Sequence, residues 1–332
     1  MAATSQPLTN IQLRGRRKRL VASKLLKLHT KTASASSAPC HDPPIHVVCI
    51  ADTHNKQPRL PAGDVLIHAG DLTENGSFAE MQAGLTWLAG QPHRYKIYVA
   101  GNHDVLLDDA FLTRHPERRY GQTQTKDDLD WGGVLYLEDS MAALSFTAPD
   151  AQASGREATT TPPPRTLTVF GSPWTPQYGV SAFQYRPDDT DHWASIFSQH
   201  AASQPDIVVT HGPPKHHLNS RDVHQAGCPY LLAEISRLRP RLVVFGHIHA
   251  AYGRQDRVVL DGVQTTYDDV LTGWAGWGRI GWMAVLVIWA RLTRGLFRTS
   301  GNEGGKATTF VNAAVVGGPH NELKNEPIVV AL

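Results

Sequence analysis

The sequence predicts an α/β fold whose functional groups gather at strand ends, and three observations predict it. Five short apolar runs are rich in β-branched residues and have the length of buried strands: Ile45 to Ile50, Val65 to Ile67, Ile97 to Val99, Ile207 to Val209 and Leu242 to Phe245. Each leads directly into Asp, Asn or His, and open α/β sheets place their ligands at the carboxyl ends of strands. Between the runs lie segments of helical character, as in a sheet covered by helices. At 332 residues, with 41% apolar and 19% charged side chains, the chain has room for one large domain with insertions or two ordinary ones.

In order, residues 1–43 read as a basic tail and 44–332 as the folded domain. Up to His41 there is no Asp or Glu, whereas Arg14, Arg16, Arg17, Lys18, Arg19, Lys24, Lys27 and Lys31 stand among Ser, Thr and Ala. Such a composition predicts a disordered, solvated tail. It also fits a mitochondrial transit peptide, and Arg14 to Arg19 fits a nuclear or nucleic-acid-binding cluster. Ser77 is placed to cap a helix over Phe78 to Leu88, with Glu80 completing a capping box. Val105 to Thr113 reads as a helix with Asp108 and Asp109 on its solvated face. His192 to His200 and Pro229 to Leu238 read as further helices. Additional strands are expected at Tyr95 to Ala100, Val134 to Leu137, Leu167 to Phe170, Val258 to Thr266 and Thr308 to Val311. Residues 147–165 are Ala, Thr, Pro and Ser without an apolar period, so a loose loop is expected there. Residues 268–298 form an apolar helical insertion, with Trp274, Trp277, Trp282 and Trp289 among glycines and Arg279, Arg291, Arg294 and Arg298 around its apolar centre, Ile280 to Leu292. Burial, in the domain or in a dimer, and a helix lying on a membrane surface both fit it.

The composition narrows the classes. A formal charge of +2 is carried unevenly, with the positive excess in the tail and no basic strip across the domain, so a nucleic-acid partner is not expected. Cys40, Cys49 and Cys228 make no framework of paired cysteines and no C-x-x-C. That favours a reducing compartment, with the cytoplasm as the expected location and a mitochondrial or peripheral-membrane one as the alternatives. No apolar stretch has the length of a transmembrane span.

The chemistry lies in the five strand ends: Asp52-Thr53-His54, Gly70-Asp71, Gly101-Asn102-His103-Asp104, Thr210-His211-Gly212-Pro213-Pro214 and Gly246-His247-Ile248-His249. Any one alone is an ordinary turn; a lone Asp after Gly usually is. Together they supply carboxylate, amide and imidazole donors, the mixed shell that a pair of divalent cations requires. Two such ions ~3.5–4 Å apart polarise a phosphoryl group, activate water near neutral pH and stabilise the attacking and leaving oxygens.

These motifs resemble those of calcineurin-like metallophosphoesterases. Asp64 to Thr73, Gly171-Ser172-Pro173-Trp174, Thr210 to Pro214 and Gly246 to Gly253 resemble in particular the metallophosphoesterase-domain-containing branch, which is similar to class III cyclic-nucleotide phosphodiesterases. The resemblance covers roughly Ile45 to Ala314, apart from the 147–165 loop and residues 262–306. It implies a two-layer β-sandwich flanked by helices. Asp52, His54 and His249 would hold one metal, Asp71 would bridge, and Asn102, His211 and His247 would hold the second. His103 would protonate the leaving alkoxide or stabilise the developing charge, and Asp104 would orient His103 unless it caps a helix. Manganese is the expected metal, with iron, zinc or magnesium as alternatives.

Around this set the assignments are looser. Trp174 is either a core residue or a platform on which a base stacks. His216 and His217 follow the Pro213-Pro214 turn, at the pocket mouth or in solvent. His68 lies inside a strand and is expected to be a hydrogen-bonded core residue. The function implied is hydrolysis of a phosphodiester, such as a cyclic nucleotide, or of a phosphomonoester by metal-activated hydroxide. A protein Ser/Thr phosphatase, a nuclease and an inactive metal-binding scaffold remain as alternatives. Partners expected are a small phosphoester, and a membrane surface or second copy through 273–298.

Overall fold

The computed structural model describes residues 10–33, 43–146, 164–219, 226–271, 273, 275–296 and 307–332. The chain falls into two compact units, one of Met1–His41 with Asp256–Thr308, the other of Asp42–Gln255 with Thr309–Leu332.

The larger unit is built on two sheets. Its strands and helices are β1 (His46–Ile50), β2 (Val65–Ala69), α2 (Phe78–Ala89), β3 (Tyr95–Val99), α3 (Asp109–Arg114), β4 (Leu135–Tyr136), β5 (Ser140–Phe146) and β6 (Arg165–Ser172). There follow the short strands β7 (Thr175–Pro176) and β8 (Gln184–Tyr185), then α4 (His192–Ser198), β9 (Ile207–Thr210), α5 (Pro229–Leu238), β10 (Leu242–Phe245), β11 (Gly253–Val259) and β12 (Ala307–Asn312), whose residues 256–259 and 307–308 count with the smaller unit, and β13 (Val316–Gly317), β14 (Glu322–Leu323) and β15 (Ile328–Ala331). One sheet runs β15-β1-β2-β3-β4, parallel except for β15; the other runs β11-β12-β10-β9-β6-β5, with β5 antiparallel to β6.

Alternation along the strands explains the layering. Val47, Cys49, Val65, Ile67, Ile97 and Val99 pack in one core with Val169, Ile207, Val209, Leu242, Val244 and Val311 of the opposite sheet. The intervening Val48, Ile50, Leu66 and Tyr98 point the other way, into a second core with Met81, Leu85 and Leu88 of α2. With both faces covered, β1 and β2 read as continuous apolar runs rather than alternating ones. This is the expected two-layer sandwich flanked by helices.

The helix signals hold at two starts. Ser77 accepts from the Glu80 N–H while the Glu80 carboxylate accepts from the Ser77 N–H, so the capping box forms as expected. Helix α5 spans Pro229–Leu238, with Pro at its first turn. Val105 to Thr113 differs: a 3₁₀ turn at Val105–Leu107 precedes α3, and Asp108 is not solvated but buried. Its carboxylate caps α3 through the Phe111 N–H and also accepts from the Phe183 N–H at 2.8 Å. Two backbone donors satisfy a charge that the sequence suggested lay in water.

The smaller unit departs further from expectation. Helix α1 (Asn10–Ala33) replaces the disordered tail across those residues, and α6 (Gly262–Leu271) and α7 (Trp277–Leu296) complete three helices. Ala22 packs with Val263, Val270, Ile280, Met283 and Val287, so the tail's apolar positions have a partner that lies far along the sequence. His29 is buried and pairs with Asp261 at 2.6 Å, 232 residues away. Val258 to Thr266 is not one strand: β11 ends at Val259, and the Asp261 carboxylate accepts from the Val263 and Gln264 N–H groups to begin α6. The chain between β11 and β12 is therefore part of a helical unit rather than an insertion confined to 268–298. Cys40, residues 147–163, His224, Trp274 and Arg298 lie outside the described residues.

Candidate metal centre

The strand ends of the larger unit converge, and their backbone is bent to let them do so. Asp52, His54, Asp71 and His247 all take positive φ, between 45° and 67°, a conformation that side chains with a Cβ rarely adopt. The loops are tied to one another: Asp52 N–H donates to the Gly70 carbonyl, His54 N–H to Asp71, and Gly246 N–H to His211. The glycines of the motifs have a packing reason. A Cβ at Gly246 would collide with the Asp52 carboxylate, and one at Gly70 with the His211 ring.

Three groups of donor atoms form, each drawn within 4.8 Å: Asp52, His54 and His249; His54, Asp71 and His103; and Asp71, His211 and His247. Asp71 and His54 each belong to two of them, and Asp71 is the carboxylate common to the His54 and the His211 sides. His249 Nε2 lies 3.2 Å from Asp52, and both Asp52 oxygens accept from the His247 N–H. On the other side His211 Nε2 stands 3.3 Å from Asp71 and 3.0 Å from the Asn102 amide oxygen. The Asn102 amide nitrogen donates to Ser181, which turns its oxygen towards His211. His211 Nδ1 faces the Ala69 carbonyl at 3.0 Å; a carbonyl only accepts, so Nδ1 carries the hydrogen and Nε2 is left as a donor of electrons.

The electrostatics show that this cluster demands a cation. A carboxylate and an amide oxygen do not both approach an imidazole Nε2 to about 3.3 Å without a proton or a metal between them. In the bare protein a proton meets that demand. Burial lowers the His211 pKa, but Asp71, by charge and hydrogen bond, overrides it and pushes the ring up to about 9. Burial would likewise raise Asp71, yet His211, then His103 and His54, hold its carboxyl far below the usual range. Burial pushes His54 down and His247 down to about 4, the neutral form that ligates metal. Neither ring nitrogen of His54 makes a hydrogen bond: Nδ1 has the Glu74 carboxylate at 3.3 Å and Nε2 faces Asp71 at 3.8 Å, a gap that a ligand would fill. The donor set fits divalent metal, and all seven residues expected as ligands are brought together: Asp52, His54, Asp71, Asn102, His211, His247 and His249.

His103 joins them. Its Nδ1 donates to the Glu74 carbonyl at 2.6 Å, its backbone N–H donates to Asp71 at 2.8 Å, and its ring lies 4.7 Å from that of His54. Asp104 does not orient it and does not cap the following turn. Its buried carboxylate accepts from the N–H groups of Gly101, Leu72 and Thr73 and from the Thr73 hydroxyl, so it fastens the Asn102-His103 loop to the Asp71 loop. Burial and the Asp71 charge raise its pKa against those hydrogen bonds.

A cavity of about 780 Å³ opens over the centre. Besides the metal-site residues it is lined by Pro176, Tyr178, Tyr185, Pro187, Tyr230, Ile248 and Asn321, and no lysine or arginine is among its described lining residues. Trp174 is not part of this wall. Its indole N–H donates to Asp139 at 2.8 Å and its ring packs edge-on to Phe183, because the loop after β6 folds the side chain inward. His216 does not line the cavity either, and His217 is buried, stacked on Phe310 at 4.0 Å. His68 is a core residue as expected, paired with the Thr53 hydroxyl and pushed down to about 3 by burial. Sequence reasoning missed Glu74, whose carboxylate lies 3.3 Å from His54 Nδ1 and accepts from the Asn321 amide, and it missed the tyrosine wall.

Residues 45–251 match the calcineurin-like phosphoesterase family. The chain belongs to that family. Among curated proteins it is 39% identical over 288 residues to the "Probable rhamnogalacturonate lyase C" of Emericella nidulans, an alignment covering 86% of this chain and 24% of that protein. It is 32% identical over 237 residues to human "Metallophosphoesterase domain-containing protein 1", covering 66% of this chain and 64% of that one. A Caenorhabditis elegans UPF0046 protein is 32% identical over 239 residues, with 68% and 69% covered. The chain thus spans about a quarter of the first relative's length and just under two thirds of the second's.

Proposed function

We propose that this phosphoesterase-family protein hydrolyses a phosphodiester carrying at least one aromatic or apolar substituent, a nucleotide or cyclic nucleotide being the leading class. The observation that carries the reading is the pairing of a metal-demanding cluster with a cavity wall of tyrosine and proline that offers no described cationic side chain. A phosphomonoester dianion calls for arginine forks beyond the metals; a diester carries one charge fewer and leaves apolar surface to be covered.

Asp52, His54 and His249 would hold one divalent ion, Asn102, His211 and His247 the other, and Asp71 both. When bound, such ions supply Lewis acidity at the phosphoryl oxygens and a water of lowered pKa. The chain's own residues supply the rest. Glu74, through its carbonyl, holds one His103 proton at Nδ1, so the second proton of the imidazolium form sits on Nε2, from which it would pass to the departing oxygen and leave the ring neutral. Asp104 keeps the His103 loop fixed against the Asp71 loop, so the acid does not drift from the reacting centre. Tyr178, whose ring is 5.0 Å from that of His247, Tyr185 and Tyr230 would cover the organic part of the ester and exclude water. Manganese is the metal this oxygen and nitrogen shell is proposed to take.

The test is hydrolysis by purified protein, stripped by chelator and reloaded with Mn²⁺, of bis-p-nitrophenyl phosphate, p-nitrophenyl phosphate and a cyclic nucleotide. The diesters should be turned over faster than the monoester, and only after reloading. A monoester preference would contradict the substrate class, and no metal-dependent hydrolysis of any of them would contradict catalysis.

A further inference from the structure

The smaller unit carries a surface that phosphoester hydrolysis does not use. Helix α7 buries Ile280, Met283 and Val287 against α1 and α6. Its opposite side carries Trp277, Trp282, Val285, Ile288, Trp289 and Leu292, each more than half exposed, with Gly278 and Gly281 between them. At 100° per residue these eight positions fill one continuous sector without a charged side chain. A soluble surface rarely leaves three tryptophans and three aliphatic side chains exposed on a single helix face. The two described arginines of α7 lie off this sector and are engaged elsewhere: Arg279 pairs with Asp269, and Arg291 donates to the Leu28 carbonyl of α1.

Helix α1, beside it, says what covers that face. Its exposed side sets Leu20, Val21 and Leu28 among Arg16, Arg17, Lys24 and Lys27, while Arg19 turns away to the Leu271 carbonyl of α6, and the helix contains no acidic residue. Apolar side chains interleaved with cations suit the boundary between anionic headgroups and acyl chains, where tryptophan is also favoured and long basic side chains reach back to the phosphates. A second copy of the chain would instead bring the same positive helix towards itself. Among the described residues no helix is long and apolar enough to cross a membrane, which leaves attachment from one side.

We propose that α7 and α1 together dock the protein on an anionic lipid surface. Trp282, Val285, Ile288, Trp289 and Leu292 enter the interface, and the α1 cations hold the headgroups. This goes beyond the hydrolytic reading and stands independently of it.

The experiment is sedimentation of the full chain with vesicles of phosphatidylcholine, alone or mixed with phosphatidylserine. The protein should pellet with the mixed vesicles at low salt and be released as salt is raised. Partitioning should fall about tenfold or more when Ile288→Glu and Trp289→Glu are combined, since two inserted side chains are lost and two like charges face the lipid. Lys24→Glu with Lys27→Glu should weaken binding by a similar factor and flatten its salt dependence. All four positions are exposed, so the variants should keep the parent's circular dichroism and diester hydrolysis. Protein that stays in the supernatant with both vesicle types would overturn the proposal. So would a parent chain that runs as a dimer in size exclusion and becomes a monomer on Ile288→Glu with Trp289→Glu, because the face would then be covered by its own copy.

Discussion

The two units invert the usual distribution of side chains in opposite ways. The sandwich takes polar residues inside: Asp52, Asp71, Asn102, Asp104 and His211 are all buried at its strand ends. The helical unit leaves apolar residues outside, on α7. Either inversion is unfavourable for the bare protein, since buried charge is poorly solvated and exposed tryptophan orders water. What differs is the partner each would take. Convergent carboxylate, amide and imidazole donors suit a divalent transition-metal ion, whereas the apolar face beside lysine and arginine is the one proposed to meet a lipid surface.

Four substitutions break or sharpen that contrast. The largest effect belongs to Asp71→Asn, which should lose roughly 10³-fold or more in rate, several kcal/mol of transition-state stabilisation. Metal analysis should show both ions weakened together; two ions still bound tightly would remove Asp71 from the bridging role. Next is His103→Ala, expected to keep its metals and lose roughly 10²–10⁴ in rate. The loss should shrink with p-nitrophenolate as leaving group, which needs little protonation. An equal loss for all leaving groups would assign His103 to electrostatic stabilisation rather than proton transfer.

In the helical unit, Asp268 is buried in α6, and burial, partly offset by the Gln264 hydrogen bond and reinforced by Asp269, pushes it up to about 7. Its folded pKa exceeds its unfolded value, so the native state holds the proton more tightly and stability falls as pH rises from about 4 to about 7. Asp268→Asn should be neutral near pH 4 and stabilise by about 4 kcal/mol at pH 8. Thermal melts at the two pH values would decide, and an equal gain at both would refute the buried carboxyl. The smallest effect is Ser77→Ala, about 1 kcal/mol from loss of the α2 cap, with metal content and kcat unchanged.

How much of this was legible in the sequence follows the range of the interactions. The ligands stood out because each motif sits directly after a strand of β-branched residues, and parallel pairing of β1, β2 and β3 brings those ends to one edge. The capping box of α2 and the start of α5 are local, and both could be read. Asp108 and Asp104 were misjudged for the same reason: their hydrogen bonds go to Phe183 in one case and to Gly101, Leu72 and Thr73 in the other, across loops that no periodicity describes. Helix α1 looked like a solvated tail because its cations dominate its composition, while the residues that cover Ala22 and His29 come from beyond position 260. The tyrosine wall gave no signal, since Tyr178, Tyr185 and Tyr230 meet only in three dimensions.

The central claim is that the strand ends form one site for two ions. The most direct measurement is a Mn²⁺ titration of chelator-treated protein, followed by metal analysis and electron paramagnetic resonance. Two tightly bound ions per chain, with the exchange coupling of a bridged pair that Asp71→Asn abolishes, is the predicted result. A single uncoupled ion, or none, with the protein otherwise folded, would contradict it.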